Sequence, residues 1–449
     1  MSRNSTMDLT TGHPLKQLLF FSLPLVAGTL FQQFYSFADT VMVGRFLGES
    51  ALAAVGTTYS LHFLTLGFVL GACAGFGIPL AQAVGAKDHD EFRRYFWNGV
   101  WLCCLLGVAF TALTFAFAVP LLRLIHTPEE ILPQAASYIR IIFLGIPASI
   151  LYNFCAGALR AAGDSRRPTL FLLVSSFLNI VLDYLLLAIF PLGVVGAALA
   201  TVASQLVSGL LNLYWLACKT DLLQNCAGLR GFSRRHAAAL CRVGLPMGFE
   251  YSVSAIGAVL LQSAINALGT AAIAGQTAGD KIRQMFTLPM ESVGRGMATF
   301  VGQNEGARRY DRIRQGIRDG LIIQWIYCAA AWVVLFFGKT AFTRLVLGQA
   351  SDQAAALSVE YLAVISCLFC FHGSLMILRN TLQGMGYSLH AVLSGMGELI
   401  GRAVCGWAAV SCSSFLGICL ANPAAWALAL AYCAVMTIHF LKQRQTQPC

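Results

Sequence analysis

Two aspartates stand in otherwise apolar sequence, and each has a polar neighbour one helical turn earlier. Asp39 follows Tyr35 at i−4 and Asp183 follows Asn179 at i−4, so in a helix each pair shares a face. Asn153 and Thr201 are further polar residues set in long apolar runs. Carboxylates, amide carbonyls and hydroxyls are the oxygen donors that a hard cation such as Na⁺ takes. The same carboxylates could instead carry a proton, because burial disfavours the charged form. The plainer alternative is that they tie helices together by hydrogen bonds. Two aspartates with the same local arrangement favour cation chemistry, and all six residues lie in the first half of the chain.

The second half carries a different set. Glu291 with Arg295, and Glu398 with Arg402, are spaced i, i+4 and read as internal structural ion pairs. Glu250 has no partner at helical spacing, which makes it a candidate to line a cavity and attract a cationic substrate. Under the internal repeat described below, Asp39 aligns with Leu260 or Leu261 and Asp183 with Gly406, so the acids of the first half have no counterpart in the second.

These residues need an apolar scaffold, and the composition supplies one. Of 449 residues, 57% are hydrophobic and only 11% are charged, with a mean hydropathy of +0.69. A soluble domain carries about 25% charged residues, so a water-facing fold is excluded. A bilayer core admits only helices or closed barrels. Barrel strands alternate over short segments, whereas the apolar runs here are long and continuous. Windows of about 20 residues give about twelve spans, near 15–44, 51–85, 96–122, 131–161, 168–190, 194–218, 238–268, 271–306, 320–342, 355–384, 390–411 and 415–440. The expected fold class is therefore an all-α integral membrane protein.

The net charge of +10 comes from Lys and Arg in alternate connections, as in Lys87, Arg93 and Arg94, or Arg308, Arg309, Arg312 and Arg314. That is the positive-inside pattern rather than a nucleic-acid surface, and it predicts cytoplasmic termini. The first helix is expected to act as the insertion signal, without a cleaved signal peptide. The 15 cysteines are read as scattered small hydrophobes, with no disulfide framework and no metal site expected.

The chain also repeats itself. Leu52-Ala-Ala-Val-Gly56 resembles Ala271-Ala-Ile-Ala-Gly275, Ala81-Gln-Ala-Val-Gly85 resembles Gly302-Gln-Asn-Glu-Gly306, and Pro24 pairs with Pro246. Tyr138 and Gly163 match Tyr361 and Gly386 at a common offset. Two pseudo-symmetric six-helix lobes follow, over 1–218 and 237–449, joined by a cytoplasmic linker over 219–236. Parallel repeats of this kind are a device of transporters, which bind substrate between the halves and rock one against the other.

At this point the residues resemble a family. Pro24 to Gly56, including Gln32-Gln-Phe-Tyr-Ser-Phe-Ala-Asp-Thr-Val-Met-Val-Gly44, is similar to the start of the multidrug and toxic-compound extrusion (MATE) family. Asn153 with Ala158-Leu-Arg-Ala-Ala-Gly-Asp164 and Pro168 resembles its fourth-helix exit. Asn179-Ile-Val-Leu-Asp183 followed by Gly196-Ala-Ala-Leu-Ala-Thr201 resembles its fifth and sixth helices. The resemblance implies export of cationic or amphipathic compounds against a Na⁺ or H⁺ gradient, with no other cofactor. It places the cation site of the prokaryotic, DinF-like branch on Asp39, Asn179, Asp183 and Thr201, with Tyr35 and Asn153 beside them. Other branches use an acid in the seventh helix, but Glu250 lies about a turn nearer Pro246 than that acid would. A monomer in the bacterial cytoplasmic membrane is implied, with small molecules and the bilayer as its partners.

Two other functions fit less well. A lipid-linked-precursor flippase of the related superfamily needs a strongly basic cavity, whereas Arg295 and Arg402 each have a Glu at helical spacing and the first half is acidic. A membrane enzyme using two aspartates needs substrate-binding loops or a metal motif, and the connections are short.

Overall fold

The computed structural model describes residues 6–224, 228–348 and 352–446. Among them every regular element is helical: α1 (Pro14–Gly85), α2 (His89–Leu124), α3 (Leu132–Leu144), α4 (Ile146–Ala161), α5 (Arg166–Tyr184), α6 (Val194–Cys218), α7 (Arg234–Ala267), α8 (Thr270–Gly306), α9 (Tyr310–Leu347), α10 (Asp352–Cys367), α11 (Phe369–Gly384), α12 (Ser388–Ser411) and α13 (Phe415–Thr446). The polar connections set the starts. Pro14 opens α1, where its missing N–H leaves no helical bond unmade. Asp88 accepts the Glu91 N–H at 2.9 Å before α2. Asp164, 1% exposed, accepts the N–H groups of Arg166 and Arg167 at 3.2 and 3.1 Å and caps α5.

Among the described residues seven helices are long and apolar enough to cross a membrane, or up to nine when each of two bent pairs, α3–α4 and α10–α11, is taken as one span. The 72-residue α1 counts twice, because the chain turns out of helical geometry at Gly48 (φ 83°, ψ −177°). The polar α8 and the charged α12 complete the expected twelve. Large apolar side chains such as Val108, Phe177 and Phe337 point outward at 71, 70 and 80% exposure, as a lipid-facing exterior requires.

Two spans expected to be single helices are broken. The α3–α4 pair bends by 42° at Gly145, where Pro147 cannot donate its i−4 hydrogen bond. The α10–α11 pair bends by 50° at Leu368, which lies at the offset that separates Tyr138 from Tyr361, yet no proline is near. The break thus belongs to the repeat and not to the proline alone. The residues with left-handed φ repeat in the same way: Gly48 with Gly269, Lys87 with Arg308, His126 with Gly348, and Gly163 with Gly386.

Contacts divide the chain into two compact units. One holds the residues up to Asp8 and Ala27–Gly248; the other holds Leu9–Val26 and Phe249–Cys449. In the first unit, the end of α1 and the start of α7 cross through glycines at i, i+4 on both helices. A Cβ on Gly71 would lie 2.3 Å from the Met247 carbonyl oxygen, and one on Gly75 would lie 2.5 Å from Gly244 Cα. Close backbone approach of this kind holds membrane helices together by dispersion. Gly75→Val is expected to cost about 1–3 kcal/mol through overpacking, read as a lower thermal midpoint in detergent. Gly56→Val should be tolerated, since nothing lies within 4 Å of a Cβ there. Equal midpoints for the two variants would contradict the packing account.

Candidate functional site

The sequence-predicted acids of the first unit converge. Asp39 on α1 and Asp183 on α5 are immediate electrostatic neighbours. Tyr35 lies within reach of both, one turn before Asp39, and so does Tyr152 of Tyr35. Asn179 sits one turn before Asp183 on the same buried face, at 2% and 0% exposure. Tyr138 of α3, 6% exposed, also faces Asp39, Asp183 and Tyr35. In sequence this tyrosine marks the repeat; packing brings it to the carboxylates.

The hydrogen bonding of this cluster is incomplete. Both oxygens of Asp183, one oxygen of Asp39, and both amide atoms of Asn179 are buried without a hydrogen-bond partner among the described residues. Buried polar groups in proteins are almost always paired, and an unpaired buried carboxylate is far costlier than an amide. Thr201 and Asn153 differ. The Thr201 hydroxyl donates to Ala197 O at 3.1 Å and the Asn153 amide to Ser149 O at 2.8 Å, each within its own helix. Their oxygens remain acceptors. Directly after Asp183, α5 widens into a π-helical turn over Leu185–Ile189, a feature that often marks a functional site. Gly196 of α6 accommodates it, since a Cβ there would come within 2.8 Å of Leu186 O.

The second unit arranges its charges in the opposite manner. Glu250 bonds Arg379 Nη1 at 3.2 Å and accepts from Gln383 at 2.7 Å. Arg379 also holds Glu398 and donates to Ser394 Oγ at 3.1 Å. Glu398 in turn holds Arg402 at 3.1 Å, the expected i, i+4 pair. From Arg402 the chain of bonds runs to Asn422 at 3.1 Å, to Tyr361 at 3.4 Å and on to Asp280 at 3.1 Å, which pairs with Arg283 at 2.8 Å. Arg295 is the strongest charge neighbour of Glu291 and also donates to Ser292 Oγ at 3.1 Å. His372, 6% exposed, lies against Trp426 inside this network.

Glu250, without a partner at helical spacing, is thus paired across helices by Arg379 and Gln383. Sequence reasoning missed Arg379, Asp280, Arg283 and His372. The available signal was a charge in mid-span, the same signal that picked out Asp39. It also missed one Cys-x-x-Cys spacing, Cys367 with Cys370. These thiols straddle the α10–α11 break, Cys367 accepts from Trp332 at 3.1 Å, and no group of three metal-ligating side chains gathers among the described residues.

A family model, MatE, matches residues 24–185 and 246–402, one match on each repeat. The chain belongs to the MatE family. Relatives of this MatE protein include a probable multidrug resistance protein, YpnP, of Bacillus subtilis, 31% identical with 86% of each chain covered. A probable multidrug resistance protein, NorM, of Thermotoga maritima is 26% identical over 83% of this chain and 81% of its own. An FAD transporter of Shewanella oneidensis is 24% identical over 85% of each. Among solved structures, a MOP-superfamily transporter from Pyrococcus furiosus, described by the reverse polarity of its binding pocket, superposes with a TM-score of 0.93 at 23% identity over the full length of both chains. An outward-facing multidrug resistance MATE transporter gives 0.91 at 22%, again over both full lengths. The MatE chain is thus a multi-pass membrane protein of a multidrug efflux transporter family, with the two-lobe, twelve-helix fold.

Proposed function

We propose that this chain is a cation-coupled antiporter that exports cationic or amphipathic compounds by alternating access. The coupling cation, Na⁺ or H⁺, is held by Asp39, Asn179, Asp183 and Thr201, flanked by Tyr35 and Asn153. The observation that carries the proposal is Asp183, fully buried beside Asp39 with no basic side chain paired to it among the described residues. Glu250 and Glu398 of the second unit each hold at least one arginine. An intramembrane carboxylate without a built-in cationic partner is retained where it serves function, and the function that fits an oxygen cluster is taking a mobile positive charge. The repeat adds support. Arg402 stands at the offset of Asn179, and Gly406 at that of Asp183. The second unit has a guanidinium built in where the first can admit an ion.

Cation entry neutralises the Asp39–Asp183 pair and reshapes α1, α5 and α6, and the affinity for drug falls. By linkage, drug must weaken cation binding by the same factor. A pyrophosphate-carrying flippase would need unopposed arginines, yet Arg379 and Arg402 are committed to carboxylates. The protein acts as a monomer in the bacterial cytoplasmic membrane, with both termini inside. The test is efflux of a fluorescent cation from everted vesicles, driven separately by a Na⁺ and a pH gradient. One of the two gradients should drive it; efflux indifferent to both would remove the antiport reading.

A further inference from the structure

Beyond the carboxylate pair, α1 and α5 frame an open cleft of about 490 Å³ in the first unit. Its size lies within the roughly 300–1,000 Å³ of ligand pockets. Val41, Met42 and Phe46 form one wall, and Val181 and Tyr184 the other, with the Phe46 and Tyr184 rings edge to face at 6.1 Å. Arg45 is the one charged residue of the lining. It is exposed and has no hydrogen-bond, ion-pair or cation–π partner among the described residues. Depth then narrows the ligand. Arg45 falls just past the end of the first expected span, 15–44, and three residues before α1 leaves helical geometry at Gly48, whereas Val41 lies one turn inside that span. Its guanidinium therefore reaches headgroup level, while Val41 and Val181 sit towards the acyl region.

We propose that this cleft binds a phospholipid of the leaflet at the far end of α1. The phosphate rests on the Arg45 guanidinium, a planar donor suited to phosphate oxygens. The upper part of one acyl chain lies between α1 and α5, against Val41, Met42 and Val181. Because α1 carries Asp39 and α5 carries Asp183, the lipid wedges between the two helices that hold the carboxylate pair. The site stands independently of the antiport reading.

The test uses the full-length protein in liposomes containing a phosphatidylglycerol with a diazirine high on its acyl chain, with cross-links mapped by mass spectrometry. Labelling should concentrate at 41–46 and 180–185. Arg45→Gln should lower it about tenfold, the loss of one charged hydrogen-bonding contact, and Arg45→Lys should largely restore it. A diazirine diacylglycerol, which lacks the phosphate, should be indifferent to Arg45. Val181→Trp, which fills the cleft, should remove labelling by both probes; Arg45→Gln, at an exposed side chain, keeps the test open should that variant fail to fold. Excess inorganic phosphate should leave labelling unchanged, and displacement by it would overturn the lipid assignment. Uniform labelling along the lipid-facing helices, or cleft labelling that Arg45→Gln does not alter, would also overturn the proposal.

Discussion

Asp183→Asn is expected to leave the protein folded in the membrane and to reduce gradient-driven efflux by roughly 100-fold, near the upper end of what a coupling free energy of 1–3 kcal/mol permits. Asparagine keeps the size of the side chain and one carbonyl oxygen, so packing against α6 survives. It cannot change charge, so neither a proton nor Na⁺ is drawn to the site with the strength of a carboxylate. Stability should hold or rise, because the variant removes a buried charge that no described residue pairs. Asp39→Asn should behave alike. Transport assays in proteoliposomes at matched protein, with thermal midpoints alongside, separate lost coupling from lost fold. Normal gradient-driven efflux by Asp183→Asn would sink the cation-site reading.

Arg379→Met should have the largest effect on stability. Arg379 is 6% exposed and holds Glu250 and Glu398 at once. Methionine fills much of the same volume but leaves two carboxylates facing one another in a low-dielectric interior. Removing one partner of a buried ion pair costs about 3–5 kcal/mol, enough to deplete folded protein in the membrane. The double variant Glu250→Gln/Arg379→Met should recover much of that loss, because Glu398 keeps Arg402 at 3.1 Å. It should also retain coupled efflux, since the proposed cation cluster lies in the other unit. Folded yield and thermal midpoint give the comparison. If the double variant were no more stable than the single one, the unpaired Glu250 would not be the cause.

The two sites were legible in sequence to different degrees. The Asp39–Tyr35 and Asp183–Asn179 pairs were visible because a helix places i and i+4 on one face, and the cost of charge in lipid makes each such residue conspicuous. The Glu398–Arg402 bridge followed from the same spacing. What spacing could not reveal is which faces meet. Tyr138 joins Asp39, and Arg379 joins Glu250, through the packing of helices far apart in the chain. Glu250 therefore has no partner at helical spacing and finds two on α11, Arg379 and Gln383. The π-helical turn was hidden for another reason: Leu-Leu-Leu-Ala-Ile reads as ordinary helix, and its close approach to Gly196 is a tertiary contact that local spacing does not show. The break at Leu368 carries no local signal, whereas its counterpart at Gly145 has Pro147. The repeat was the better guide there.

In the proposed mechanism the Asp39–Asp183 cluster holds the cation that drug displaces. Cation release on drug binding tests it most directly, using purified protein in detergent, with a pH indicator in weak buffer and a Na⁺ electrode in parallel. With the site filled beforehand, drug binding should release up to one cation per drug, because drug weakens cation binding by the factor that the cation weakens drug binding, and Asp183→Asn should release none although it still binds drug. Equal release from the wild type and Asp183→Asn would contradict it.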